Sequence, residues 1–141
     1  MSDTTTTRSD AVDDGTTRRP VWLHGIAASV VAAGATTAVA AAASAAGVSF
    51  ADHTGASIPP LGFTEVTLVF SLLGVGLAAI LARKARHPRR VFVRTTLALL
   101  LLSFVPDLTF GFDPVSAVTL MSDHVLAAAI VIPTLARRLV P

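Results

Sequence analysis

From Val21 to Ala82 the chain contains no lysine or arginine, and its only acids there are Asp52 and Glu65. A stretch that long with so little charge cannot coat the surface of a water-soluble domain. Lipid removes the requirement, because the solvent of a membrane span is itself apolar. The rest of the 141 residues follow suit: 52% are apolar and 14% charged, against roughly 25% charged in an ordinary globular domain. The reading is an all-α chain, a transmembrane four-helix up-down bundle in one domain.

Four apolar stretches carry that reading, at about 21–47, 63–82, 91–110 and 115–136. A span needs about 20 residues, at 1.5 Å each, to cross a hydrocarbon core of roughly 30 Å. The first, second and fourth meet this directly. The third is interrupted by Pro106 and Asp107, and reaches length only by continuing through Leu108, Thr109 and Phe110. Turn formers separate the stretches: Asp52, His53, Gly55 and Pro59-Pro60; then Pro88 in a basic run; then Gly111 to Pro114 with Asp113. Residues 1–19 are polar, rich in Thr and Asp, and read as a disordered tail ahead of a transmembrane domain over 20–141.

The basic residues set the orientation. Arg8, Arg18 and Arg19 precede the first span, Arg83, Lys84, Arg86, Arg89, Arg90 and Arg94 lie at the second connection, and Arg137 and Arg138 follow the fourth span. With four crossings all of them fall on one side, and the positive-inside rule makes that side cytoplasmic. Both termini are then cytoplasmic, in a bacterial plasma membrane. A rival reading takes Arg18-Arg19-Pro20 and the following apolar run as a signal peptide ending near Ala43-Ser44-Ala45. That run is far longer than the roughly 7–15 residues of a signal core, so a retained span is the better reading.

Much chemistry is excluded. Without cysteine there is no disulfide framework, thiolate nucleophile or thiolate-bound metal. A formal charge of +2 gives no global attraction to nucleic acid. No nucleophile–base pair suggests an enzyme, and no catalytic residue, cofactor or metal is expected.

Small residues suggest how helices pack. Gly34, Ala38, Ala42 and Ala46 recur every four residues, and Gly25 with Ser29 extends the row. Such rows let backbones approach closely in lipid, and the expectation is packing within the bundle ahead of a dimer interface. Ser71, Gly74 and Gly76 offer the same on the second span.

Polar residues at membrane depth are the candidate site. Thirteen residues separate Arg94 from Asp107, and thirteen separate His124 from Arg137. Each side chain then stands about 20 Å above its arginine, in the outer leaflet. The two come out level on consecutive spans, so an Asp107–His124 pair is expected. Glu65 falls nearer the outer boundary, and Asp123 lies beside His124 but about 100° around the helix. Together they suggest an outward-opening cluster of acids around one imidazole. Ionisable groups inside a span mark proton, ion or substrate paths, and His titrates near neutrality. The structural alternative is that Asp107 and His124 satisfy backbone freed by Pro106, with Glu65 and Asp123 near the first turns of their helices. The run Arg83, Lys84, Arg86, Arg89, Arg90 and Arg94 is a topogenic anchor, and also a candidate contact for anionic head groups. Trp22 and His24 read as boundary anchors.

Several segments together resemble a known family. They are the Arg-Arg-Pro entry, Thr36-Thr37-Ala38-Val39-Ala40, Pro88-Arg89-Arg90-Val91-Phe92-Val93-Arg94-Thr95, Val105-Pro106-Asp107-Leu108, and His124 followed by Ile130 to Arg137. Over about residues 18–139 the chain resembles a family of small actinobacterial membrane proteins catalogued only as a domain of unknown function. The resemblance implies a four-helix membrane protein and supplies no activity. The expected function is a small accessory or sensor-like protein acting through helix partners or lipids, with the bilayer, anionic lipids, a second copy or another membrane protein as partners. The alternative is a subunit of a proton, cation or small-solute transporter using Asp107, His124 and Glu65.

Overall fold

The computed structural model describes residues 21–139, and the tail assigned to 1–19 lies outside them. Four helices follow one another: α1 Val21–Ala45, α2 Pro60–Lys84, α3 Pro88–Thr109 and α4 Pro114–Ala136. Each is long and apolar enough to cross a membrane, which marks a multi-pass membrane protein. Three of the prolines that punctuate the sequence do not end helices but start them. Pro60, Pro88 and Pro114 occupy first helical positions, where the missing N–H is no loss and the fixed φ suits the helix. Pro106 does not break α3, which runs on to Thr109. Its missing N–H leaves the Leu102 carbonyl without its helical donor, and Phe110 N–H closes the last turn on the Pro106 carbonyl at 3.0 Å.

The helices alternate in direction. We call the end carrying Arg83 to Arg94 the basic end, and the opposite one the far end. α1 packs on α2 and α4, α3 packs on α4 and α2, and α1 does not touch α3. Two apolar clusters fill the interior. Near the basic end are Ala32, Val75, Ala78, Phe92, Val131, Leu135, Ala136 and Leu139; near the far end are Ala40, Phe50, Phe63 and Leu120. The helices also leave many large apolar side chains outward, among them Phe70, Leu73, Leu101, Leu102 and Leu108. Such a surface would be an aggregation hazard in water and is ordinary in lipid.

The small-residue row is corrected by the packing. Gly34, Ala38, Ala42 and Ala46 face outward, and a side chain built at Gly34 would meet nothing within 4 Å. The face of α1 that enters the bundle is Gly25, Ala28, Ser29, Ala32, Thr36 and Ala40. Only the Gly25–Ser29 part of the expected row lies inside. The close approach is real at Gly25, where an added Cβ would stand 2.5 Å from Val75 Cγ2. Hydroxyls fix the rest of the α1–α2 seam: Thr36 Oγ1 pairs with Thr67 Oγ1 at 3.1 Å, and Thr37 with Thr64. Of the second-span residues, Ser71 is buried, Gly74 half-buried and Gly76 exposed.

Residues 46–59 are a folded cap and not a plain loop. Ala51 and Ser57 form an antiparallel bridge, and Asp52 Oδ1 accepts from the backbone N–H groups of Thr54 and Ala56 at 2.8 and 3.1 Å. Phe50 takes a positive φ of 48° while fully buried. Burying a phenylalanine is worth roughly 1.5–3 kcal/mol, enough to offset about 1–2 kcal/mol of left-handed strain. Its ring meets Phe63 edge-on at 5.1 Å, and its N–H donates to Ser116 Oγ at 3.2 Å.

Candidate functional site

Asp107 lies on the last turns of α3 and His124 in the middle of α4. The structure brings them together: His124 Nδ1 is 3.1 Å from Asp107 Oδ2, with side chains 35% and 7% exposed. This is the contact that counting from the arginines anticipates. Nδ1 also lies 2.9 Å from the Leu120 carbonyl, one turn back. No hydrogen-bond geometry is met at Asp107 Oδ2, so the ring N–H points at Leu120 and the carboxylate sits beside it as an off-axis charge contact. Phe104 closes the other side of the imidazole, edge-on at 6.4 Å. The result is a half-open imidazole whose remaining nitrogen is free of the α4 backbone, next to a carboxylate withdrawn from solvent.

The wider cluster does not assemble. Glu65 is the sixth residue of α2, exposed, and makes no ion pair or hydrogen bond among the described residues. Asp123 turns away from the pair into the bundle, buried, with neither carboxylate oxygen partnered. Neither acid serves as a helix cap, contrary to the structural alternative in the sequence. α2 is preceded by Pro59 with no side-chain cap, and Asp123 stands in the third turn of α4. The α4 cap is Asp113, which accepts from Val115 and Ser116 N–H at 3.0 and 3.1 Å. No group of three His, Asp or Glu among the described residues could hold a metal ion.

Sequence reading missed the far-end network. Ser116 Oγ donates to Asp113 Oδ2 and accepts from Phe50 N–H, tying α4 to the cap. His53 joins the two far-end connections: its N–H donates to the Phe110 carbonyl at 3.2 Å, and its Nδ1 lies 2.8 Å from the same oxygen. Gly111, at φ +75°, makes room for this, since a Cβ there would lie 2.8 Å from His53 Cβ. The Ser116 hydroxyl and the backbone N–H groups of Ser116 and Val115 hold the Asp113 carboxyl below its ordinary value of 3.8. Thr54, by hydroxyl and backbone, then Ala56 N–H and the His53 charge, lower Asp52 likewise. The signal available in the sequence was the Asp-Pro-x-Ser start of α4, an N-cap pattern with proline at the first helical position.

At the basic end, Arg83, Lys84, Arg86, Arg89, Arg90 and Arg94 are all exposed. His87, Arg89, Arg90, Val93 and Arg94 line a shallow cleft. None of the acids among the described residues lies in this half, so among the described residues the cations have no acidic partner there.

Fold and site together define a helical multi-pass membrane protein with one contact between a buried carboxylate and a half-exposed imidazole on neighbouring spans. The chain belongs to the family described as a family of unknown function, DUF6069, which matches residues 16–141. No curated protein and no solved structure matches it.

Proposed function

We propose that the protein is a small accessory, sensor-like membrane protein that acts through helix and lipid contacts, with the basic end cytoplasmic in a bacterial plasma membrane. The observation that supports this over transport is the apolar cluster of Val75, Phe92, Val131 and Leu135 filling the basic half of the bundle. The buried polar side chains of that half are the hydroxyls of Ser29 and Ser71, with no buried acid among the described residues. A proton or cation reaching His124 from the far end therefore finds no charged group there by which to continue. The pair is then a terminus, and its role is to hold α3 against α4. α3 suits such a role, since between Phe92 and Asp107 none of its side chains is fully buried. The outward row Gly34, Ala38 and Ala42 suits close approach by a helix of another chain. The exposed cations of the basic end suit anionic head groups, at about 1 kcal/mol per residue near the surface.

Reconstitution tests the reading. Vesicles carrying the full chain should pass protons and sodium no faster than empty vesicles, with Asp107→Asn indistinguishable. Flux that Asp107→Asn abolishes replaces this function with transport. A reporter inserted between Asp52 and Gly55 should map outside the cytoplasm, and a cytoplasmic result reverses the assigned sidedness.

A further inference from the structure

The turn from α2 into α3 carries six cations, and its two sides receive them differently. Arg83 and Lys84 occupy the last turn of α2, where the carbonyl end of a helix favours positive charge. Arg89 and Arg90 occupy the first turn of α3, which contains no acid and whose N-cap, His87, makes no side-chain capping bond. There the helix dipole opposes them. Arg90 and Arg94 also stand four residues apart on one face, a like-charge pair that weakens a helix. Topogenic retention asks only for cations in the connection and leaves this placement unexplained.

The placement builds a cleft. His87, Arg89, Arg90, Val93 and Arg94 line about 500 Å³ of open space, within the roughly 300–1,000 Å³ of small-molecule sites. Its chemistry is divided. Three guanidiniums and an imidazole surround one apolar residue, Val93, which is half-buried and packs against the cluster of Val75, Phe92 and Leu135. A guanidinium fork matches the oxygens of a phosphate. Val93 suits carbon, such as a glycerol or the first methylenes of an acyl chain, which a bare soluble anion lacks. The level fits a lipid as well. Arg94 lies four or five residues beyond Arg90 and Arg89, about 6–8 Å along the helix. One head-group layer is about 5–8 Å deep. Guanidiniums at those two heights match two phosphates joined through one short alcohol.

We propose that this cleft binds the head group of an anionic phospholipid carrying two phosphates, of the diphosphatidylglycerol class, with Arg89, Arg90 and Arg94 holding the phosphates. The site rests on the basic end meeting lipid head groups, as proposed above. Purified full-length protein in nonionic micelles tests it, titrated with diphosphatidylglycerol or with phosphatidylglycerol at equal phosphate, and read as bound phosphorus. Diphosphatidylglycerol should bind at about one molecule per chain, as a single cleft requires, and about tenfold more tightly than phosphatidylglycerol. Arg90→Gln with Arg94→Gln should weaken it about twentyfold, at about fivefold per cation. Arg83→Gln with Lys84→Gln removes the same charge outside the cleft and should leave the preference between the two lipids intact. Arg94→Lys keeps the charge without the fork and should lose most of that preference. All five side chains are exposed, so these variants should elute as the folded species. Equal affinity for the two lipids overturns the proposal and leaves a diffuse lipid-facing surface. Binding of neither lipid overturns that surface too. Inorganic pyrophosphate that binds as tightly as the lipid assigns the cleft to a soluble anion, which also overturns the proposal.

Discussion

The two halves of the bundle are built by different means. The basic half is held by volume: Phe92, Leu135 and Leu139 are fully buried among Val75, Ala78 and Val131. The far half is held by pairing: threonine hydroxyls between α1 and α2, the Asp107–His124 contact between α3 and α4, and the Asp113–Ser116–Phe50 chain under the cap. A packed half answers to the size of its side chains and is indifferent to pH. A paired half answers to charge and hydrogen-bond inventory. The chain thus places its responsive chemistry at one end and its rigidity at the other.

Four tests probe that contrast, most simply by equilibrium unfolding in micelles. Phe92→Ala empties the centre of the basic half and should cost about 3–5 kcal/mol, the range for large aromatic truncations. A cost no greater than that of a far-half polar substitution would remove the contrast. Gly25→Ala adds a methyl where Val75 already stands, and should cost about 1–3 kcal/mol by forcing α1 from α2. Unchanged stability there would mean that the seam yields freely. Asp107→Asn and His124→Gln, singly and together, should show a coupling of about 0.6 kcal/mol, typical of polar pairs between membrane helices. Additive effects would mean that the two side chains are neighbours without interacting. The smallest effect belongs to Asp113→Ala and is best read locally. The folded state depresses this carboxyl, so its bonds stabilise the α4 start above the unfolded value of 3.8 and are lost as pH falls through the folded value. Asp52 follows the same sign in the cap. Amide exchange at residues 46–59 and 113–116 should therefore accelerate on acidification below that range, and Asp113→Ala should exchange fast near α4 at neutral pH. Exchange at Phe92 should not follow.

Depth was legible in the sequence, and direction around a helix was not. Counting from Arg94 and Arg137 levelled Asp107 with His124 because helical rise is constant, and the contact followed. The same counting gathered Glu65 and Asp123 with them, though one faces outward and the other into the bundle. Azimuth needs an apolar stripe to fix it, and spans that are apolar all round supply little of one. The α1 row failed for a related reason. In a helix so rich in alanine, four-residue repeats occur on several faces, and the seam was chosen by Thr36 and Thr37 finding Thr67 and Thr64. The cap was beyond sequence reading, since Phe50 adopts a left-handed backbone that its residue type disfavours and tertiary burial enforces.

The clasp of His53 on Phe110 has a consequence for biogenesis. Helices α1 and α2 form one hairpin and α3 and α4 another, and membrane insertion delivers such hairpins in order of synthesis. The groups that fasten the first hairpin's cap, the Phe110 carbonyl and the Ser116 hydroxyl, belong to the second. The cap therefore closes only after the final crossing, which makes protection of Phe50 and His53 a marker that assembly of the chain is complete.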